Sequence, residues 1–214
     1  MSLDLEMVDR KEHILEHASQ SFFEMGVRNV TMGSLASSLG ISKRTLYEYF
    51  EDKDQLVIEA IRYIIIENNK MLLQIIENSD NVVEAMYQIS KHQDQFQKQF
   101  PKVFMEDIKR YFPMVHASFY ACQADIRKLS PSYTLLEKGI NQGIFRKEMR
   151  VDLVDRFLHE IISIIHNSDR IRLLNPTNDE VKNSIIIPYF RGVCTSKGLA
   201  LMEKYFQNHN SNNS

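Results

Sequence analysis

Two cysteines, Cys122 and Cys194, are the whole thiol content of this 214-residue chain. They form neither a disulfide framework nor metal-ligand spacing, a usage that fits a reducing cytoplasm. Long apolar runs are also missing. The longest, such as Ile64–Ile66 and Ile185–Ile187, fall far below the roughly eighteen residues a membrane-spanning helix needs. The first nine residues are acidic and show no basic patch ahead of an apolar stretch, so no secretion signal is expected. Neither sign of charge dominates. A net charge of -2 and a pI near 6.4 argue against a polybasic coat for nucleic acid or membrane, though not against a small local DNA contact. With 43% hydrophobic and 25% charged residues the chain is not disordered throughout, and its length allows one large domain or two small ones.

Backbone breakers are few and unevenly placed. Gly26, Gly33 and Gly40 lie near the N-terminus, whereas all five prolines (Pro101, Pro113, Pro131, Pro176, Pro188) lie beyond residue 100. Between them apolar residues recur every three or four positions without strand-like alternation, which predicts an all-α chain. A first helix is expected over 9–25, with Ile14, Ala18, Phe22 and Met25 on one face and Gly26 as its left-handed C-cap. Thr31 caps a second helix over 32–38 that ends at Gly40, and Ser42 caps a third over 43–49. Asp52 and Gln55 read as a capping box opening a fourth helix to about residue 77, roughly 37 Å long. Further helices are expected over 81–98, 102–111, 113–129, 131–142, 152–173 and 178–207. The last should kink or break near Pro188 and again near Gly198. The polar tail from Asn208 should fray.

Residues 31–50 form the informative pattern: two short helices around a Gly-Ile-Ser turn. Leu35, Ala36 and Leu39 must pack on Leu46, with Ala36 permitting close approach and Gly40 reversing the backbone. The second helix then offers Lys43, Arg44, Thr45, Tyr47 and Glu48 outward, a set suited to a DNA groove. These residues carry a closer likeness. Ile14, Ala18, Phe22, Phe23 and Gly26, then Thr31, Leu35, Ala36, Gly40 and Ile41, then the run Ser42 to Leu56 (S-K-R-T-L-Y-E-Y-F-E-D-K-D-Q-L) resemble the DNA-binding domain of the TetR (tetracycline repressor) family. The resemblance covers a fifth to a quarter of the chain.

That resemblance implies an N-terminal three-helix helix-turn-helix domain over 1–52. A long fourth helix joins it to a helical effector-binding and dimerisation domain over 53–208, followed by a frayed tail over 209–214. It makes 43–49 the recognition helix, with Lys43, Arg44 and Glu48 facing base edges and Thr45, Tyr47 and Tyr49 offering hydroxyls to phosphates. Thr31 joins the DNA-binding set. Lys53 would meet a phosphate beside the positive end of the fourth helix. Arg44 is best equipped to read guanine, while Glu48 either accepts from a cytosine amino group or pairs with Arg44 one turn back. Residues 1–58 hold six basic and ten acidic side chains, a net of -4, so non-specific affinity and salt dependence should be modest.

The remaining signals have plainer readings. His13 to His17 spells H-x-x-E-H, an inverted zinc-peptidase pattern. The simpler account is two histidines flanking the core stripe of the first helix. Cys122 shares a predicted helix with His116 and Asp125 but has no activating base, so a space-filling thiol is expected. No serine elbow, phosphate loop or carboxylate pair points to catalysis, and no catalytic residue, cofactor or metal is assigned. The segment 96–123 is dense in aromatics. They are either plain core or the lining of an apolar effector cavity formed by Phe96, Phe104, His116, Phe119, Tyr120 and Gln123. Leu153, Phe157, Ile161, Ile164 and Ile165 read as internal core. By resemblance, however, the last two long helices form a four-helix bundle with a second copy, through isoleucines such as Ile161, Ile162, Ile185 and Ile187. The sequence therefore predicts a cytoplasmic, homodimeric regulator of transcription. It would be a repressor released from a near-palindromic operator by a small-molecule effector. An activator or partner-controlled regulator, and a ligand carrier or enzyme with a structural helix-turn-helix, are the alternatives.

Overall fold

The computed structural model describes residues 2–98, 102–112 and 130–210, and every regular element among them is helical. In chain order these are α1 (Ser2–Met25), α2 (Met32–Ser38), α3 (Lys43–Tyr49), α4 (Lys53–Asn78), α5 (Val82–Lys98), α6 (Lys102–Tyr111), α7 (Pro131–Asn141), α8 (Val151–Asn167), α9 (Asp169–Arg172), α10 (Asn178–Val181), α11 (Ile187–Val193) and α12 (Ser196–Asn210). The helix expected over 113–129 lies outside the described residues. Among those residues, no helix is long and apolar enough to cross a membrane. They divide into two compact units, the first drawn from 1–68 and 96–119, the second from 69–95 and 120–214.

In the first unit α1 begins at Ser2, seven residues before the expected start, because nothing between Ser2 and Asp9 breaks a helix. Ile14, Ala18 and Phe22 of α1 meet Leu35 and Ala36 of α2, Leu46 of α3 and Leu56, Val57, Ala60 and Ile61 of α4 in one apolar core. Phe104 and Ile108 of α6 complete it. The Phe104 ring is fully buried and stands edge-on to Phe23, centroids 4.9 Å apart. Such a contact contributes about 0.5–1.5 kcal/mol beyond its buried area.

The second unit packs Val82, Val83 and Met86 of α5 against Leu135 and Leu136 of α7, Leu158 of α8, Phe190 of α11 and Met202 of α12. The connector after α7 folds onto the joint between α11 and α12. Arg146 N–H donates to Val193 O at 2.9 Å, and Thr195 N–H donates to Ile144 O at 2.9 Å. The Phe145 ring lies so close to Gly139 that a β-carbon there would sit 2.1 Å from it, hence glycine.

Three boundaries in this unit depart from the sequence reading. The helix expected over 152–173 is interrupted at Ser168, whose backbone is extended (φ -77, ψ 119). Ahead of Pro188, residues 182–186 form a π-helical turn that accommodates a ring with no N–H to donate. The second break falls at Cys194–Thr195 rather than Gly198, because Thr195 spends its N–H on Ile144. Its hydroxyl caps the Gly198 amide at 3.2 Å, so Gly198 sits in the first turn of α12. That helix continues to Asn210, past the expected fraying point, and residues 211–214 lie outside the described set.

Polar groups also join elements inside this unit. Lys138 donates to the carbonyls of Ile76, Glu77 and Ser79, which the end of α4 leaves without helical partners. Buried Asp155 of α8 accepts from the Ser132 hydroxyl, and His159 one turn on lies 3.0 Å from that same hydroxyl. Burial works against the charged carboxylate. Hydrogen bonds from His159 and Ser132 and the nearby imidazole outweigh it and hold the Asp155 pKa below the usual range.

Candidate nucleic-acid interface

Local chemistry builds the helix-turn-helix. Gly26 ends α1 with φ +79, and Gly40 ends the turn after α2 with φ +65, a region where a side chain would be strained. Thr31 caps α2. Its hydroxyl accepts from Ser34 N–H at 3.0 Å, and Ser34 returns the bond to Thr31 N–H at 2.9 Å. Ser42 caps α3 by accepting from Thr45 N–H at 3.0 Å. Asp52 accepts from Gln55 N–H at 2.8 Å to start α4. The Gln55 amide reaches back one residue further than a standard box, to Glu51 N–H at 2.6 Å. His17 ties α1 to α2 through its Nε2, 2.8 Å from the Ser38 hydroxyl. Since Ser38 gives its own proton to Leu35 O, the imidazole is the donor. His13 and His17 thus differ in use: His13 is exposed and His17 braces the motif.

Leu46 is the buried residue of α3 and anchors it to the core. Lys43, Arg44, Tyr47 and Glu48 are exposed, with the Arg44 side chain 90% accessible. The Lys43 ammonium lies 5.7 Å from the Tyr47 ring centroid, and Arg44 Nε lies 3.5 Å from Glu48 Oε1. An exposed pair of this kind adds little stability, but it restrains the guanidinium that would read a base. Thr45 is half-buried, its hydroxyl 2.9 Å from that of Ser42. Half-buried Tyr49 packs on the core with its ring 6.4 Å from Phe50. Thr31 is exposed but engaged in its cap. Lys53 is half-buried, and its ammonium donates to Arg28 O at 3.4 Å.

Of the proposed effector contacts, Phe104 is core of the first unit and Phe96 packs beside that core. His116, Phe119, Tyr120 and Gln123 lie outside the described residues. Two residues near the interface had no place in the sequence reading. The Arg28 N–H donates to Asp107 of α6 at 3.2 Å across 79 positions. No local pattern announces such a bond.

Residues 14–60 match the family described as "Bacterial regulatory proteins, tetR family". The HTH-type transcriptional repressor KstR2 of Mycolicibacterium smegmatis is 24% identical over 155 residues, which span 71% of this chain and 75% of that protein. An uncharacterized HTH-type transcriptional regulator of Bacillus subtilis, YvaF, is 28% identical over 172 residues, spanning 76% and 85%. The crystal structure of a TetR-family transcriptional regulator from Pectobacterium atrosepticum superposes with a TM-score of 0.64 at 16% identity, covering 90% of this chain and 97% of that one.

Proposed function

The chain belongs to the TetR family of DNA-binding transcriptional regulators, and from that premise we propose that it acts as a cytoplasmic homodimeric repressor whose α3 helices read a near-palindromic operator. The observation carrying this is α3 itself: one anchoring leucine inward, and Lys43, Arg44, Tyr47 and Glu48 outward. Residues 1–52 form the reading head in this proposal. Lys43, Arg44 and Glu48 meet base edges, while Thr31, Thr45, Tyr47, Tyr49 and Lys53 meet the backbone. The name of KstR2 supports repression as the sign.

Dimerisation is supported by α8. Leu153, Phe157 and Ile164 share one face and are 62%, 57% and 55% exposed, an apolar stripe that a second copy would cover. Of the isoleucines expected in that role, Ile162 and Ile187 pack on the second core, while Ile161 and Ile185 are half-buried. A small-molecule effector binding within 53–208 would lower operator affinity, and DNA would lower effector affinity by the same factor.

Selection of binding sites from random duplex DNA, with the protein and with Arg44→Ala, tests the reading. An enriched palindrome whose preference relaxes at one step in the variant is expected. A folded dimer that enriches no sequence at low salt would refute it.

A further inference from the structure

Arg28, in the turn between α1 and α2, uses every polar group it has inside the first unit. Its N–H donates to Asp107 Oδ2 of α6 at 3.2 Å, its carbonyl accepts from the Lys53 ammonium of α4 at 3.4 Å, and its guanidinium lies over the α6 Tyr111 ring at 5.5 Å. A carboxylate from one helix and an ammonium from another thus hold the two ends of the same residue. The half-buried Lys53 loses hydration, which disfavours its charge, and the carboxylates of Asp54 and Asp107 offset that loss. Asp54 belongs to α4 and travels with Lys53. Asp107 arrives from α6, so its influence depends on where α6 lies.

We propose that Asp107 competes with operator phosphate for Lys53, so that α6 sets DNA affinity by how closely it presents this carboxylate. The inference rests on the reading of Lys53 as a phosphate contact. An ammonium facing a protein carboxylate is partly neutralised before DNA arrives, and it then releases less counterion on binding. The device also fits an acidic reading head, where each usable cation carries a large share of the affinity.

The test is a salt titration of operator binding by full-length protein carrying Asp107→Asn, Lys53→Ala or both, with thermal melting as a check of folding. Asparagine keeps an acceptor for the Arg28 N–H and removes only the charge; Asp107→Ser is the substitute if the amide is not tolerated. Lys53→Ala should flatten the log K against log salt slope by about 0.9, one phosphate contact. Asp107→Asn should tighten binding severalfold at low salt and steepen the slope, and the double variant should match Lys53→Ala alone. An equal gain from Asp107→Asn in both backgrounds would mean a general field effect. No gain, or weaker binding, would mean that Asp107 merely docks α6. Each overturns the inference and leaves the phosphate contact standing. A Lys53→Ala slope identical to that of the parent would instead remove the phosphate contact itself.

Discussion

Helices α3 and α8 both leave a face uncovered, and the two faces differ in kind. The seven residues of α3 bury Leu46 and offer a cation, a guanidinium, a phenol and a carboxylate. The seventeen residues of α8 bury Leu158 and Asp155 and leave Leu153, Phe157 and Ile164 uncovered. Charged groups remain hydrated until a ligand of opposite charge displaces the water, so α3 can wait indefinitely without destabilising the chain. Exposed hydrocarbon has no such resting state. The contrast assigns α3 to reversible, salt-dependent recognition and α8 to a standing contact between copies.

The largest test of this contrast is Phe157→Lys in α8. It should convert a dimer to monomers in sedimentation and cost more than about 100-fold in operator affinity, because one half-site alone remains for each chain. A variant that still sediments as a dimer would move the interface elsewhere. Leu46→Ala asks how firmly α3 is mounted. Emptying a fully buried leucine site should cost about 2–5 kcal/mol in denaturant unfolding. Arg44→Ala should leave stability alone and reduce discrimination at one base step by about 1–3 kcal/mol. A uniform loss across all sequences would place Arg44 on the phosphate backbone instead.

Smaller effects separate the units. Thr31→Ala removes the cap of α2 and should cost about 1 kcal/mol, measurable by thermal unfolding. In the second unit the Asp155 pKa is depressed on folding, so its ionised form favours the folded state. That contribution is complete above the unfolded aspartate pKa near ~3.9 and disappears as pH falls through the lower folded value. Asp155→Asn should therefore flatten the loss of stability on acidification below about pH 4. An unchanged acid limb would show that the hydroxyl and imidazole contacts do not tune this carboxylate.

The reading head was legible because its parts are local. Thr31 and Ser34, Ser42 and Thr45, and Asp52 and Gln55 each act across three positions, and Gly26 and Gly40 mark their own reversals. The second unit was less legible for the opposite reason. Its breaks are set by Thr195 reaching Ile144, and its buried acid is satisfied by Ser132, 23 residues earlier. Periodicity placed Leu153, Phe157 and Ile164 on one face but read that face as internal core, since the 3.6-residue repeat is the same whether the partner is the chain itself or a copy.

The order and type of the helices, the caps of the reading head and the outward residues of α3 follow from the amino-acid sequence, because each depends on side chains within a turn or two of the backbone they serve. Which residues of α8 stay exposed, where the last helices break and how Asp107 meets the backbone of Arg28 were decided only by tertiary structure. Those outcomes turn on which distant donor, acceptor or surface arrives first at a group that several could satisfy.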